Sequence, residues 1–350
     1  MTKSKMTSMQ RVLTTLDHQE PDRVPFFLLL TMHGAKELGM GLKEYFSKAE
    51  NVIEGQERLQ NKYGHDCYLG FFFAPIEIQA WGGEVVFYDN GPVNSGEPFI
   101  KNIKQINTLE PPVISDSPVL QEVLKTIRFL HEKAAGEVPV LGVALSPFSV
   151  PVMQLGFEAY LELIYNEPEL FDRLMAVNEH FCIEWANAQL AAGATAICYF
   201  DPVSSPTIIP RELYLKTGFQ VASRAIAKIK GPIATHMASG RALPIIDDLA
   251  KTGTGAVGVS ADEDLGILKQ ACCDKISVIG NLNGLEMIHW SREEAARTVK
   301  NAIDAAAAGG GFILSDNHGE IPYQVPDEVL LAISDAVRAY GYYPQRLAGE

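Results

Sequence analysis

Eight short apolar runs recur along the chain, at residues 23–30, 67–74, 138–145, 194–200, 232–235, 256–260, 276–280 and 311–314. Most are apolar throughout rather than alternating, the pattern of strands buried on both faces of a parallel sheet. Residues 158–166, 167–191, 210–230, 242–252, 263–272 and 291–308 carry apolar positions at helical spacing. Pro168 falls in a first turn, Ser291 and Glu294 have the spacing of a capping box, and Gly309 to Gly311 follow a helix end. Strand and helix in alternation predict parallel pairing, and eight strands predict an α/β fold of the (β/α)8 TIM barrel type. The N-terminal third departs from this rhythm. Residues 76–88 alternate like an extra hairpin and residues 101–118 are irregular and proline-bearing, an N-terminal elaboration expected to cover one barrel mouth. No linker divides the chain, so residues 1–350 are expected to form a single barrel domain.

The polar residues that interrupt this pattern sit where strands end. His236 closes one run, Asp262 follows another and His318 a third, and the C-terminal rim of a barrel is where chemistry is placed. The small residues Ala238, Ser239 and Gly240 open space beside His236. Two imidazoles and a carboxylate suit zinc with an open fourth position. A metal-free pocket is the rival reading, with a histidine as acid and Asp262 or Asp201 holding a cationic group. Asp201, followed by Pro202, also reads as an ordinary strand-end turn residue. Phe71, Phe72, Phe73, Tyr199, Phe200 and Trp81 offer a lining for an aryl ring, although each one singly reads as core. Gly309 to Gly311 precede a strand instead of following one, which argues against a phosphate cradle.

Composition narrows the partners. A net charge of -14 argues against nucleic acid, whose phosphates need clustered Lys and Arg. No stretch has the form of a signal peptide or membrane span, so a cytoplasmic protein without membrane contact is expected. Five cysteines without CxxC spacing suit free thiols.

Arg11-Val-Leu-Thr-Thr-Leu16, Glu20-Pro-Asp-Arg-Val-Pro25, Gly280-Asn-Leu-Asn283 and Gly309-Gly-Gly-Phe-Ile-Leu-Ser315, followed by Val325-Pro326, together resemble the uroporphyrinogen decarboxylase superfamily. The resemblance covers nearly the whole chain and implies a (β/α)8 barrel. It also implies one of two chemistries, cofactor-free decarboxylation of a tetrapyrrole or methyl transfer to or from a corrinoid protein. The decarboxylases carry an Arg-Gln-Ala-Gly-Arg motif where this chain reads Thr31-Met-His-Gly34, so a polycarboxylate would lack cationic partners, although Asp66 falls where their central aspartate would.

The sequence is similar to the methylcobamide:coenzyme M methyltransferases, which bind zinc through His-x-Cys and a later cysteine. Here His236-Met-Ala238 and His318 stand instead, without either thiolate. Losing the thiolates argues against thiol alkylation and for an oxygen or nitrogen donor. The resemblance then implies removal of a methyl group from a small methylated substrate, such as a methoxylated aromatic (O-demethylation), to cob(I)alamin. The cobalamin is expected on a separate corrinoid protein, because Asp-x-His-x-x-Gly is absent. Zinc would be held by His236, Asp262 and His318, with Glu320 in reserve. Asp201 and Glu77 would act with His236, and Tyr199, Phe73 and Asn281 would bind substrate. A decarboxylase-like enzyme or a non-enzymatic tetrapyrrole- or corrinoid-binding protein are the alternatives.

Overall fold

The structure is a computed structural model that describes residues 6–317 and 319–344. Its strands are β1 (Tyr68–Leu69), β2 (Val85–Val86), β3 (Asn94–Ser95), β4 (Val140–Leu145), β5 (Ala196–Phe200), β6 (Ile233–His236), β7 (Ala256–Gly258), β8 (Ser277–Leu282) and β9 (Phe312–Asp316). Seven of these pair in the order β1-β4-β5-β6-β7-β8-β9, parallel at every step. The extended residues 24–30 close the ring. Phe26 bridges in parallel to Leu314, Phe27 N–H donates to the Leu314 carbonyl at 2.9 Å, and Asp66 N–H donates to the Phe26 carbonyl at 2.9 Å on the way into β1. All eight apolar runs therefore stand in the barrel wall. Their outward side chains pack under the helices, with Tyr199, Ile233 and Val278 buried there.

Helices follow the expected places with two subdivisions. The stretch 210–230 forms Arg211–Lys216 and Gly218–Ile226, broken at Thr217. At Gly218 a Cβ would stand 2.4 Å from the Ser204 hydroxyl, so the second helix approaches the barrel only without a side chain there. The stretch 242–252 breaks into three short turns around Pro244. Ser291 caps Arg292–Ala306 by accepting from Glu294 N–H at 3.1 Å. The expected hairpin at 76–88 is corrected. Residues Ile76–Ala80 are helical, and the hairpin pairs Val85–Val86 with Asn94–Ser95 across an Asp89-Asn90-Gly91 turn. A strand would send Glu77 to the opposite face from Ile76 and Ile78, whereas one helical turn buries all three.

The N-terminal face holds an ion network that accounts for two of the sequence motifs. Thr7 and Gln10 cap the helix Ser8–Leu16 reciprocally. From it, Arg11 donates to Asp22 and to Asp66, both at 2.7 Å, and Arg23 donates to the other Asp66 oxygen at 2.7 Å. Phe26 N–H and the Ser8 hydroxyl complete the shell of Asp66, which is fully buried. Gly311 N–H donates to the Thr15 carbonyl at 2.9 Å, and at Gly310 a Cβ would lie 2.3 Å from the Gln19 carbonyl oxygen. The three glycines thus let the end of one helix lie flat against the first. Charge pairing and close fit at this face serve stability, since a barrel of this type places its chemistry at the other end.

Candidate functional site

The barrel lumen holds a cavity of about 760 Å³. It is lined almost wholly by apolar side chains such as Leu141, Val143, Ala234 and Ile313. Among the described residues that line it, only Cys198, His236 and Glu320 can titrate, and none is Lys or Arg. Its mouth lies at the C-terminal ends of the strands.

His236 is the last residue of β6 and is buried against Phe200, whose ring stacks on the imidazole at 5.5 Å and 27°. The Ala238 backbone N–H, turned back by a φ of 50°, donates to His236 Nδ1 at 2.9 Å. That bond assigns the proton of the neutral ring to Nε2. Register explains the space the ring occupies. His236 stands opposite Gly258, where a Cβ would lie 2.7 Å from the imidazole Cδ2. Gly258→Ala is expected to push the ring aside and lower activity at least about tenfold, since small misplacements at a reacting centre cost that much or more. Activity and circular dichroism measured together check this, and full activity in the folded variant would refute it.

Glu320 lies beside the same mouth. The Thr31 hydroxyl donates to its Oε1 at 3.1 Å, and burial, with the Asp316 charge adding, pushes its carboxyl up to about 7. Asp316, buried at the end of β9, accepts from Gly319 N–H at 3.2 Å. The cavity mouth therefore holds an imidazole beside a carboxyl group that keeps its proton close to neutral pH.

The other expected site residues that are described lie outside the cavity lining. Tyr199 points outward into the helical layer, because side chains alternate along β5 and Phe200 takes the lumen side. Phe73 packs on Phe46 and Phe87 with ring centroids 5.4 Å apart in each case, and it is Phe71 that lines the cavity. Asn281 donates to the carbonyls of Ser260 at 2.8 Å and Glu263 at 3.1 Å, pinning the loop after β7. That loop turns away from the axis. Asp262 is consequently exposed, in a separate shallow pocket with Thr207, Ser239 and Arg241. Asp201 is buried and accepts from the Ser146 and Ser149 hydroxyls, tying the β4 and β5 loops together, with its carboxyl pushed up by burial. His318 lies outside the described residues.

Glu77 is also enclosed. Its Oε1 accepts from Leu145 N–H at 2.8 Å, and burial raises the carboxyl to about 8, against the opposing effect of that bond. The folded chain keeps this proton where the unfolded chain, with a value of 4.5, has released it. The group thus costs stability as pH rises from the unfolded value through about 8. Glu77→Gln keeps an acceptor for Leu145 and has no proton to lose. Its melting temperature is expected to fall less than that of the parent between pH 6 and 9, and parallel curves would refute the assignment.

Of the expected zinc ligands, His236 and Asp262 line different pockets, and His318 lies outside the described residues. Among the described residues no three His, Cys, Asp or Glu side chains come close enough to hold an ion, and Asp262 is on the wrong side of its loop. Of the expected aryl lining, Phe71 and Phe200 face the cavity, and Thr31 lines it without having been expected there. The alternation of β5 carried the signal for Phe200, which pairs directly with His236.

The sequence profile of the family described as Uroporphyrinogen decarboxylase (URO-D) matches residues 7–340. A uroporphyrinogen decarboxylase from Cellvibrio japonicus is 24% identical over 258 residues, 69% of this chain and 70% of its own. The methylcobamide:CoM methyltransferase MtaA from Methanosarcina barkeri is 23% identical over 323 residues, 88% of this chain and 94% of its own. Among solved structures, a methyltransferase from Methanosarcina mazei superposes with a TM-score of 0.83 at 18% identity, covering 96% of this chain and 99% of that one, a likeness of fold.

Proposed function

Because the chain belongs to the uroporphyrinogen decarboxylase family, we propose that it is an enzyme of that family's methyl-transferring kind, moving a methyl group from a small methylated donor to a corrinoid carried by a partner protein. The observation that carries this reading is the cavity: apolar, with no Lys or Arg among the described residues that line it, and with His236 and Glu320 at its mouth. A polycarboxylated tetrapyrrole entering it would lose its hydration and meet no cation, which disfavours decarboxylase action. Asp66, at the place of the decarboxylases' central aspartate, is saturated by Arg11 and Arg23 on the opposite face of the barrel.

The chain's own residues have two tasks. Apolar walls hold the donor and exclude water, which strengthens every polar contact inside. His236 and Glu320 then supply or steer a proton to the heteroatom that the methyl group leaves, O-demethylation being the case that an imidazole and a carboxyl group suit best. The described residues do not bring a set of zinc ligands together. No helix among the described residues is long and apolar enough to cross a membrane, in keeping with a cytoplasmic place of action.

The test supplies the full chain with a corrinoid protein held as cob(I)alamin and a panel of methoxylated aromatics, following cobalt methylation by absorbance. Uroporphyrinogen is assayed in parallel for carbon dioxide release. Methylation with a donor supports the reading. Decarboxylation, or binding of a tetrapyrrole with no turnover of any kind, overturns it in favour of the corresponding alternative.

A further inference from the structure

Three neighbouring strands turn small residues to the barrel axis. β5 presents Ala196 and Cys198, β6 presents Ala234, and β7 presents Ala256 and Gly258. Register sets them side by side, with Cys198 opposite Ala234 and Ala234 opposite Ala256. Barrel interiors of this type are ordinarily filled at these layers by bulky branched residues. Here one wall is recessed, and the cavity continues below His236 to Pro232 and Gly255 where the strands begin. Four residues of strand span about 13 Å, which at the usual barrel tilt is a depth of about 11 Å along the axis. Val12 and Leu16 of the first helix close the floor. His236 and Glu320 stand at the upper end, and burial pushes the Cys198 thiol up to about 12, so among the described residues the recess below them carries no charge.

We propose that this recess binds an elongated apolar group of the donor, an aryl ring bearing an alkyl chain, inserted along the barrel axis with its methylated heteroatom at the level of His236. The proposal rests on the methyl-transfer reading and names its substrate class. A one-carbon donor is little larger than water, which occupies about 30 Å³ in the liquid. It would leave most of the 760 Å³ empty. An apolar chain fills it without stranding a polar atom, and Phe200 and Phe71 flank the ring at the mouth. Ala234 and Ala256 then set how long a chain is accepted.

Calorimetric titration of the full chain with phenol and 4-alkylphenols, methyl to pentyl, tests this without turnover. These are the demethylated counterparts of aryl methyl ethers. Each added methylene is expected to tighten binding by about fourfold until the floor is reached. Ala234→Phe is expected to weaken 4-pentylphenol at least tenfold with a smaller loss for phenol. Ala256→Leu replaces that variant if it does not fold, and the parent series decides alone if neither does. A flat series, or folded variants that bind the long phenol as the parent does, overturns the proposal. A steep series with no methyl transfer from the matching methyl ethers leaves the recess standing and sinks the methyl-transfer reading. Transfer from one-carbon donors with a flat series does the reverse.

Discussion

His236→Ala is expected to lower methyl transfer by at least about 100-fold, the smallest loss usual when a positioned acid or base is removed. The fold should survive. The ring stacks on Phe200 and accepts a hydrogen bond from Ala238, and loss of contacts of this kind costs about 1–2 kcal/mol of stability. Single-turnover rates with the corrinoid protein, set beside melting curves of the same preparations, separate the two effects. Parent-like turnover in the variant would remove His236 from the mechanism and with it the reading of the cavity mouth as the reacting end.

The second large effect is on stability alone. Asp66→Ala is expected to lower the unfolding free energy by about 3–5 kcal/mol, because it leaves the guanidinium groups of Arg11 and Arg23 buried without their shared partner. Asp22 still faces Arg11 but is itself partly exposed. Asp66→Asn should fall between, keeping an acceptor and losing the charge. Denaturant titration measures both. Activity per folded molecule should stay near the parent value, whereas loss of activity at unchanged stability would return Asp66 to the role of a catalytic aspartate. The same network sets an acid limit. Burial raises the Asp22 carboxyl, but its hydrogen bond and ion pair with Arg11 outweigh that and hold it below the usual range. Its contribution is therefore present above the unfolded value and lost as pH falls through the folded one.

Strand positions were legible because they depend on local composition: a stave buried on both faces must be apolar along its length, whatever it pairs with. His236 was legible for the same reason, as a polar residue where such a run stops. Less local features were not. Tyr199 and Phe200 are equivalent in composition, and only the inward parity of β5, fixed by its pairing with β4 and β6, decides that Phe200 faces the cavity. Asp262 follows its strand as closely as other candidates do theirs, yet the hold of Asn281 on Ser260 and Glu263 turns it outward.

By itself the sequence determined the barrel, the order of its staves and the imidazole at the end of one of them, since each follows from hydrophobic period and chain order. The tertiary structure decided which carboxyl group joins that imidazole, that Asp66 serves the ion network instead of the cavity, and that five small residues from three strands line up as one recess. Those are relations between residues far apart in the chain. They exist only once parallel register places Cys198, Ala234 and Ala256 at one height and turns their side chains to the same axis.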